Sequence, residues 1–461
     1  MFLGIDFGTT NTVAAVMDTG DAAPRALPLD GDSLTLRTML YVERDGAMRV
    51  GSDAIRTYRE QNVGRVPRFS KQWVGEIDVE IGELNVKGYD VGASVTAIVD
   101  VYADVDADAP GRLLHALKGP LATDYRGTRL FGRDYQLEDL IAEFLARAKY
   151  HITQTTGCNV TNAVFGRPVH FANAVTDDDD ARAEHRLRDA AMRAGFREVV
   201  FELEPIGAGL AFAQMAALHE GQHALVFDFG GGTLDVAVLR TGHDGTQRVL
   251  ATGGVSIGGD ALDHALFKRT LLPWFGGDVR WGSHQSPLPA HILDALGDWQ
   301  DVPTLCNAGT LSFLREAQAS ASVPLRVMAL EDLISKGYAY ELYERVELAK
   351  VALSSQRMAV IGYDNGAVSV WQPVTRAQFE AMIARERRAI ARVIEGTLQK
   401  ADVRADQIGR VVRTGGSSSI PCFVAMLGEM FGRETVVEQD RFTGVAAGLA
   451  LKAQQLDLKA D

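Results

Sequence analysis

Cysteine is scarce in this chain of 461 residues: three are present, Cys158, Cys306 and Cys422. They are far apart and odd in number, which excludes a disulfide framework or a C-x-x-C metal site. No apolar run approaches the ~18 residues of a membrane span. The opening MFLGIDFG has no basic stretch, and Asp6 breaks its apolar run, so no secretory leader is expected. Positive charge is in deficit, with 47 Lys and Arg against 60 Asp and Glu and a net charge of −13. A nucleic-acid partner needs a basic footprint and is not expected. The ten histidines form no H-E-x-x-H pair. Heptads, low-complexity tracts and short repeats are absent. What remains is an ordinary globular balance, 46% hydrophobic and 23% charged. A cytoplasmic protein is expected, away from membranes, with two to four domains or one large bilobal unit.

Glycine is plentiful, 46 residues, and clustered at Gly4 to Gly8, Gly230 to Gly232, Gly253 to Gly259 and Gly415 to Gly416. Two of these clusters lie in a long-range repeat. LGIDFGTTNTVAAV starts at Leu3 and LVFDFGGGTLDVAV at Leu225. Both read as a strand, a turn and a second strand by period-2 alternation. Leu3, Ile5 and Phe7 share one face, with Gly4, Asp6 and Gly8 on the other; Leu225, Phe227 and Phe229 likewise lie opposite Val226, Asp228 and Gly230. A duplicated α/β architecture follows, with halves of about 1–215 and 216–461. Amphipathic helices are expected over Leu137–His151, Ala181–Gly195, Ile334–Leu353 and Thr375–Thr397. Ile77–Arg133 and Phe275–Met328 mix Gly, Pro and short apolar runs, and read as insertions or peripheral subdomains.

The two turns carry chemistry. Glycine lets backbone N–H groups approach an anion, and a tight turn gathers several into one concavity. Gly8, Thr9, Thr10 and Asn11 form the first such turn, with Gly230, Gly231, Gly232 and Thr233 the second. An aspartate beside a polyphosphate is repulsive unless a cation lies between them. Asp6 and Asp228 are therefore candidate Mg²⁺ partners, through water. Each turn alone is also compatible with a plain hairpin. Two of them facing across a cleft can clamp a triphosphate and its metal.

IDFGTTN, VFDFGGGTLDVAVL, GGVSIGGDALD and VVRTGGSSSIPCF together resemble the nucleotide-binding domain of the 70-kDa heat-shock chaperone family, in the actin-like ATPase superfamily. The resemblance implies a duplicated ribonuclease H-like fold, two lobes around a cleft for ATP or ADP with Mg²⁺. It implies that Glu204, in FELEPIGAGLAFA, lies near the metal and the attacking water. Lys71, in RFSKQWVG, resembles the family's catalytic lysine, and Asp235 is a candidate base or orienter. Pro168, in FGRPVHF, resembles the family's switch proline. The helix VELAKVALSS implies ribose contacts from Glu347 and Lys350 and an adenine contact from Ser354. Gly258, Gly259, Gly415, Gly416 and Ser417 would lie against the nucleotide.

There are departures from the family. Its two adenine-stacking arginines correspond here to Val351 and Ser419, and an aspartate near the adenosine to Phe442. The chain also stops shortly after Gly448, where the family continues into a peptide-binding β-sandwich. It resembles the short YegD-type members, and no peptide holding is expected of it unless an insertion such as Phe275–Met328 forms a groove. The resemblance implies a slow Mg²⁺-dependent ATPase acting as a conformational switch, a chaperone or the co-factor of one, with an unidentified protein partner. Two other readings stay open: a small-molecule kinase of the same superfold, and a non-enzymatic nucleotide-dependent scaffold.

Overall fold

The computed structural model describes residues 1–86, 89–215, 219–243, 246–439 and 443–458. Phe442 lies outside them. The repeat seen in the sequence becomes a repeat of topology. In the first sheet Phe2–Phe7 pairs antiparallel with Asn11–Met17 and parallel with Asn162–Arg167, which is followed by Glu198–Leu203. In the second, His223–Phe229 pairs antiparallel with Leu234–Thr241 and parallel with Ile408–Thr414, followed by Val436–Glu438. This is the actin-like α/β plan, built twice.

Alternation along the strands sorts their side chains into separate cores. Leu3, Ile5 and Phe7 join Phe144, Phe165 and Leu187 in the first lobe. Leu225, Phe227 and Phe229 join Leu262, Phe267 and Phe423 in the second. The opposite faces meet helices near the middle of the molecule. Helix Gly444–Gln455 packs Ala446 and Ala450 against Val13, Ala15 and Met17. Helix Glu204–Met215 places Ala208 and Phe212 with Val226 and Ala237. These helices cross at Gly207 and Gly448, where a Cβ on Gly448 would lie 1.6 Å from the Gly207 carbonyl oxygen. Only glycine permits that approach. The crossing is one of the points that tie the two halves together.

The expected helices are present with shifted ends. Leu137–Thr156 runs to Gly157, which caps it at φ +72. Asp177–Arg193 starts four residues early, because Thr176 and Asp179 form a reciprocal capping box. The stretch read as one helix over Ile334–Leu353 is two, Pro324–Ser335 and Ala339–Ser355, broken at Gly337 with φ +69. Thr375–Thr397 likewise splits into Arg376–Met382 and Ala384–Ala401. Within 275–328 lie short helices whose Ile292, Leu311, Leu314 and Val327 share one buried cluster with the second sheet. Phe69–Val86 and Tyr89–Asp106 form a long antiparallel hairpin. The chain then returns through Gly111–His115, which pairs with Met39–Glu43.

Candidate functional site: two facing turns and a buried carboxylate cluster

Both turns close with the same bond. The Gly8 amide donates to the Asn11 carbonyl at 3.1 Å, and the Gly230 amide to the Thr233 carbonyl at 3.1 Å. The turns abut. A Cβ on Gly231 would sit 1.9 Å from Thr10 Oγ1, and one on Gly232 2.5 Å from Thr9 Oγ1. The run of glycines is thus required by the facing threonines. The second turn is braced from behind, its Gly230 and Gly231 carbonyls accepting the amides of Gly259 and Asp260 at 3.0 and 2.9 Å. Ser417 Oγ donates to the Gly230 carbonyl at 3.2 Å, tying in the fourth glycine cluster. Thr10 Oγ1 is buried with no protein partner. A buried hydroxyl without a partner costs roughly 1–3 kcal/mol, so a ligand atom is the natural complement.

Below the turns four carboxylates converge: Asp6, Glu204, Asp228 and Asp235. They line one cavity of 100 Å³ with Gly8 to Asn11, Gly230 to Thr233, Gly415 and Gly416. Lys118 lies among them, its ammonium donating to Glu204 Oε1 at 2.5 Å. One ammonium against four carboxylates leaves a strong local excess of negative charge. Burial, reinforced by Glu204 and opposed by Lys118, pushes the Asp6 carboxyl up to about 7. Burial with Glu204 does the same for Asp235, also to about 7, against the amide of Val169 and the hydroxyl of Thr233. Asp228 is raised well above the usual range by burial, then by Glu204, Asp6 and Asp235. Such a cluster calls for a cation. Among the described residues no three carboxylate, histidine or cysteine side chains are placed to ligate a metal directly.

Asp235 also reaches between the lobes. It accepts the Val169 amide at 2.6 Å and the Thr233 hydroxyl at 2.9 Å. Val169 follows Pro168, so the proline segment is linked to the second hairpin by one charge-assisted bond.

The lysine expected at the cleft is placed elsewhere. Lys71 is exposed on Phe69–Val86, at the root of the long hairpin, and does not line the cavity. Lys118 does, and it is only 5% exposed. Its signal was a single charge in the otherwise apolar LLHALKGPLA, where a lysine is seldom buried unless paired. The pairing with Glu204, far along the chain, is a tertiary fact.

The nucleoside side is engaged with protein. Glu347 accepts both guanidinium nitrogens of Arg37 at 3.2 and 3.0 Å, across the lobes. Lys350 donates to Asp263 Oδ2 at 2.5 Å and to the Gly259 carbonyl at 3.1 Å. Burial, against Lys350, pushes the Asp263 carboxyl up to about 6. Val351 is 59% exposed, Ser354 is half-buried, and Ser419 Oγ is buried without a partner. Gly258, Gly259, Glu347, Lys350, Ser354 and Ser417 are not among the residues that line the cavity.

Comparison with known proteins gives the family. The family model described as Hsp70 protein matches residues 121–273 and 332–460, more than half of the chain. The chain is 27% identical to the Chaperone protein HscA homolog of Burkholderia multivorans and 28% identical to the Chaperone protein HscA of Edwardsiella ictaluri. Each match covers 98% of this chain and 58% of the relative, so the chain spans little more than half the length of these curated relatives. No helix among the described residues is long and apolar enough to cross a membrane. The chain belongs to the Hsp70 family.

Proposed function

We propose that this chain binds ATP with Mg²⁺ between the two hairpin turns and hydrolyses it slowly as a conformational switch. The observation that carries this reading is the facing pair of turns above a carboxylate cluster that contains a buried lysine. Thr9, Thr10, Gly231, Gly232 and Thr233 would hold phosphates. Asp6 and Asp228 would hold the hydrated metal, which when bound supplies charge neutralisation at the phosphates. Lys118 and Glu204 would orient the attacking water, and Asp235 would receive or relay its proton.

The two turns belong to different lobes and abut, so nucleotide binding between them would part the lobes. Arg37 and Glu347 would separate in the same motion, freeing Glu347 for a ribose hydroxyl. The Pro168–Val169 segment, bonded to Asp235, would then sense whether phosphate fills the site. A chaperone role is proposed from the names of the HscA relatives, with the client and partner left as unidentified proteins. A cytoplasmic location is proposed on the same basis.

The test is phosphate release from MgATP by the purified chain. The expected result is slow turnover with ATP alone, in the absence of any acceptor. Release only when a sugar or other hydroxyl acceptor is added would overturn hydrolysis in favour of a kinase. ATP-dependent sedimentation without release would favour a scaffold.

A further inference from the structure

Away from the cleft, the second lobe carries an apolar groove of 440 Å³. It lies between the turn Leu272–Phe275, helix Pro324–Ser335 and strand Ser369–Thr375. Trp274, Phe275, Leu325, Met328, Val368 and Val370 line it. Leu325 is 69% exposed. Trp371, one residue beyond Val370 and on the strand's other face, is 70% exposed. Leu325 has no polar function to satisfy, and Trp371 has only its indole N–H.

The groove runs beside an open strand edge. Ser369–Thr375 pairs only with Met358–Asp364 in a two-stranded sheet. The flanking bonds fix which residues bond inward. The Asn365 amide donates to the Val368 carbonyl at 3.2 Å, and the Arg376 amide to the Arg357 carbonyl at 2.9 Å. With the register Tyr363↔Val370 and Ile361↔Gln372, antiparallel alternation turns Val370, Gln372 and Val374 toward the partner strand. Ser369, Trp371 and Pro373 then direct their backbone groups outward. Among the described residues the amides and carbonyls of Ser369 and Trp371 have no protein hydrogen-bond partner. Pro373 lacks an N–H, and its carbonyl already accepts the Gln372 side-chain amide at 3.0 Å, so the edge closes there. The wall is firm: Trp274 Nε1 donates to Gln372 Oε1 at 3.1 Å. Arg326, the one charged residue of the lining, is committed to Asp278 at 2.6 and 2.8 Å.

We infer that this edge and groove bind a short extended segment of apolar sequence, added as a strand beside Ser369–Trp371 with its side chains in the groove. An extended chain meets both features at once. Its backbone pairs with Ser369 and Trp371, and alternate side chains fill the space between Leu325, Met328 and Val370. A helix would cover the apolar lining but leave the edge unpaired, because its own backbone bonds are internal. A charged ligand finds no free counter-charge there. The inference takes up the exception kept for a groove in Phe275–Met328, and it does not depend on nucleotide.

The test uses fluorescence anisotropy of the full chain with a labelled heptapeptide of alternating valine and threonine. A second peptide carries N-methyl groups at alternate amides, which removes the strand bonds and keeps the side chains. The protein variant is Leu325→Glu, at an exposed position where folding is preserved and checked by thermal melting. The expected result is binding in the range of about 10–100 µM, weakened at least roughly tenfold both by N-methylation and by Leu325→Glu. No binding, or binding indifferent to both changes, overturns the inference. Loss with Leu325→Glu but not with N-methylation overturns strand addition. A concentration-dependent dimer abolished by Leu325→Glu, without peptide binding, assigns the face to a second copy of this chain and equally overturns it.

Discussion

Lys118→Ala is expected to lower phosphate release from MgATP by about 10²- to 10³-fold, the scale of losing one preorganised charge at a transition state, while Lys71→Ala leaves the rate unchanged. The ammonium of Lys118 lies within the carboxylate cluster at 2.5 Å from Glu204. Lys71 is exposed on the hairpin strand. A charge that acts on the developing phosphoryl charge lowers kcat more than it weakens binding. The substitution also strands Glu204. Removing one partner of a buried pair costs about 3–5 kcal/mol, so the nucleotide-free variant should melt lower. MgATP should restore part of the difference by supplying positive charge. Rates are therefore to be compared at a temperature where both proteins are folded. A Lys71→Ala variant as slow as Lys118→Ala would return the role to the hairpin lysine.

The second large effect concerns Asp228. Asp228→Asn should abolish the Mg²⁺ dependence of ATP binding and, without nucleotide, make the protein more stable at pH 8. The sign follows from the direction of the shift. Asp6 and Asp235 are raised to about 7 and Asp228 well above the usual carboxylate range, whereas the unfolded values are near 3.8. Between those limits the folded state binds more protons than the unfolded state. Stability then falls as pH rises from about 4 through about 7. Asparagine keeps the shape and removes one buried charge, so the variant should lose part of this slope. At pH 8 its melting temperature should exceed the wild type's by several degrees, at about 2–4 °C per kcal/mol for a domain of this class. Mg²⁺ with ATP should reverse the order by stabilising the wild type alone. Differential scanning calorimetry at pH 5.5 and 8, with and without MgATP, reads both effects. A variant less stable than wild type at pH 8, yet still Mg²⁺-responsive, would remove Asp228 from the metal site.

The parts of the site legible in the sequence are those made locally. Asp6 and Asp228 fall beside their turns because a hairpin fixes register within a few residues, and the alternation of Leu3, Ile5 and Phe7 reveals the buried face directly. Long-range pairings were not legible. Lys118 is placed by the return of the chain after the long hairpin, and Glu204 by the start of a helix 86 residues later. Glu347 and Lys350 lie one turn apart on one helix, as read, but their partners Arg37 and Asp263 come from distant elements. Helix ends failed where one glycine decided them, as at Gly337. In the 275–328 stretch Gly and Pro interrupt the runs around Ala290–Ala295, whereas Leu311, Leu314 and Ala317 of Ala308–Ser320 keep a helical spacing that was legible in the sequence.

The central claim is that binding energy resides in the phosphates and Mg²⁺ rather than in the base. On the proposed reading, Val351 and Ser419 replace the family's two stacking arginines, which would each contribute roughly 0.5–2 kcal/mol. Their loss forfeits about 1–4 kcal/mol, or roughly five- to several-hundred-fold in affinity. Isothermal titration calorimetry with ATP, ADP, GTP and adenosine, each with Mg²⁺ and with EDTA, tests this directly. The account predicts that MgATP binds, that EDTA removes most of its affinity, that GTP follows ATP closely, and that adenosine is far weaker. Adenosine binding as tight as MgATP, unaffected by EDTA, would contradict it.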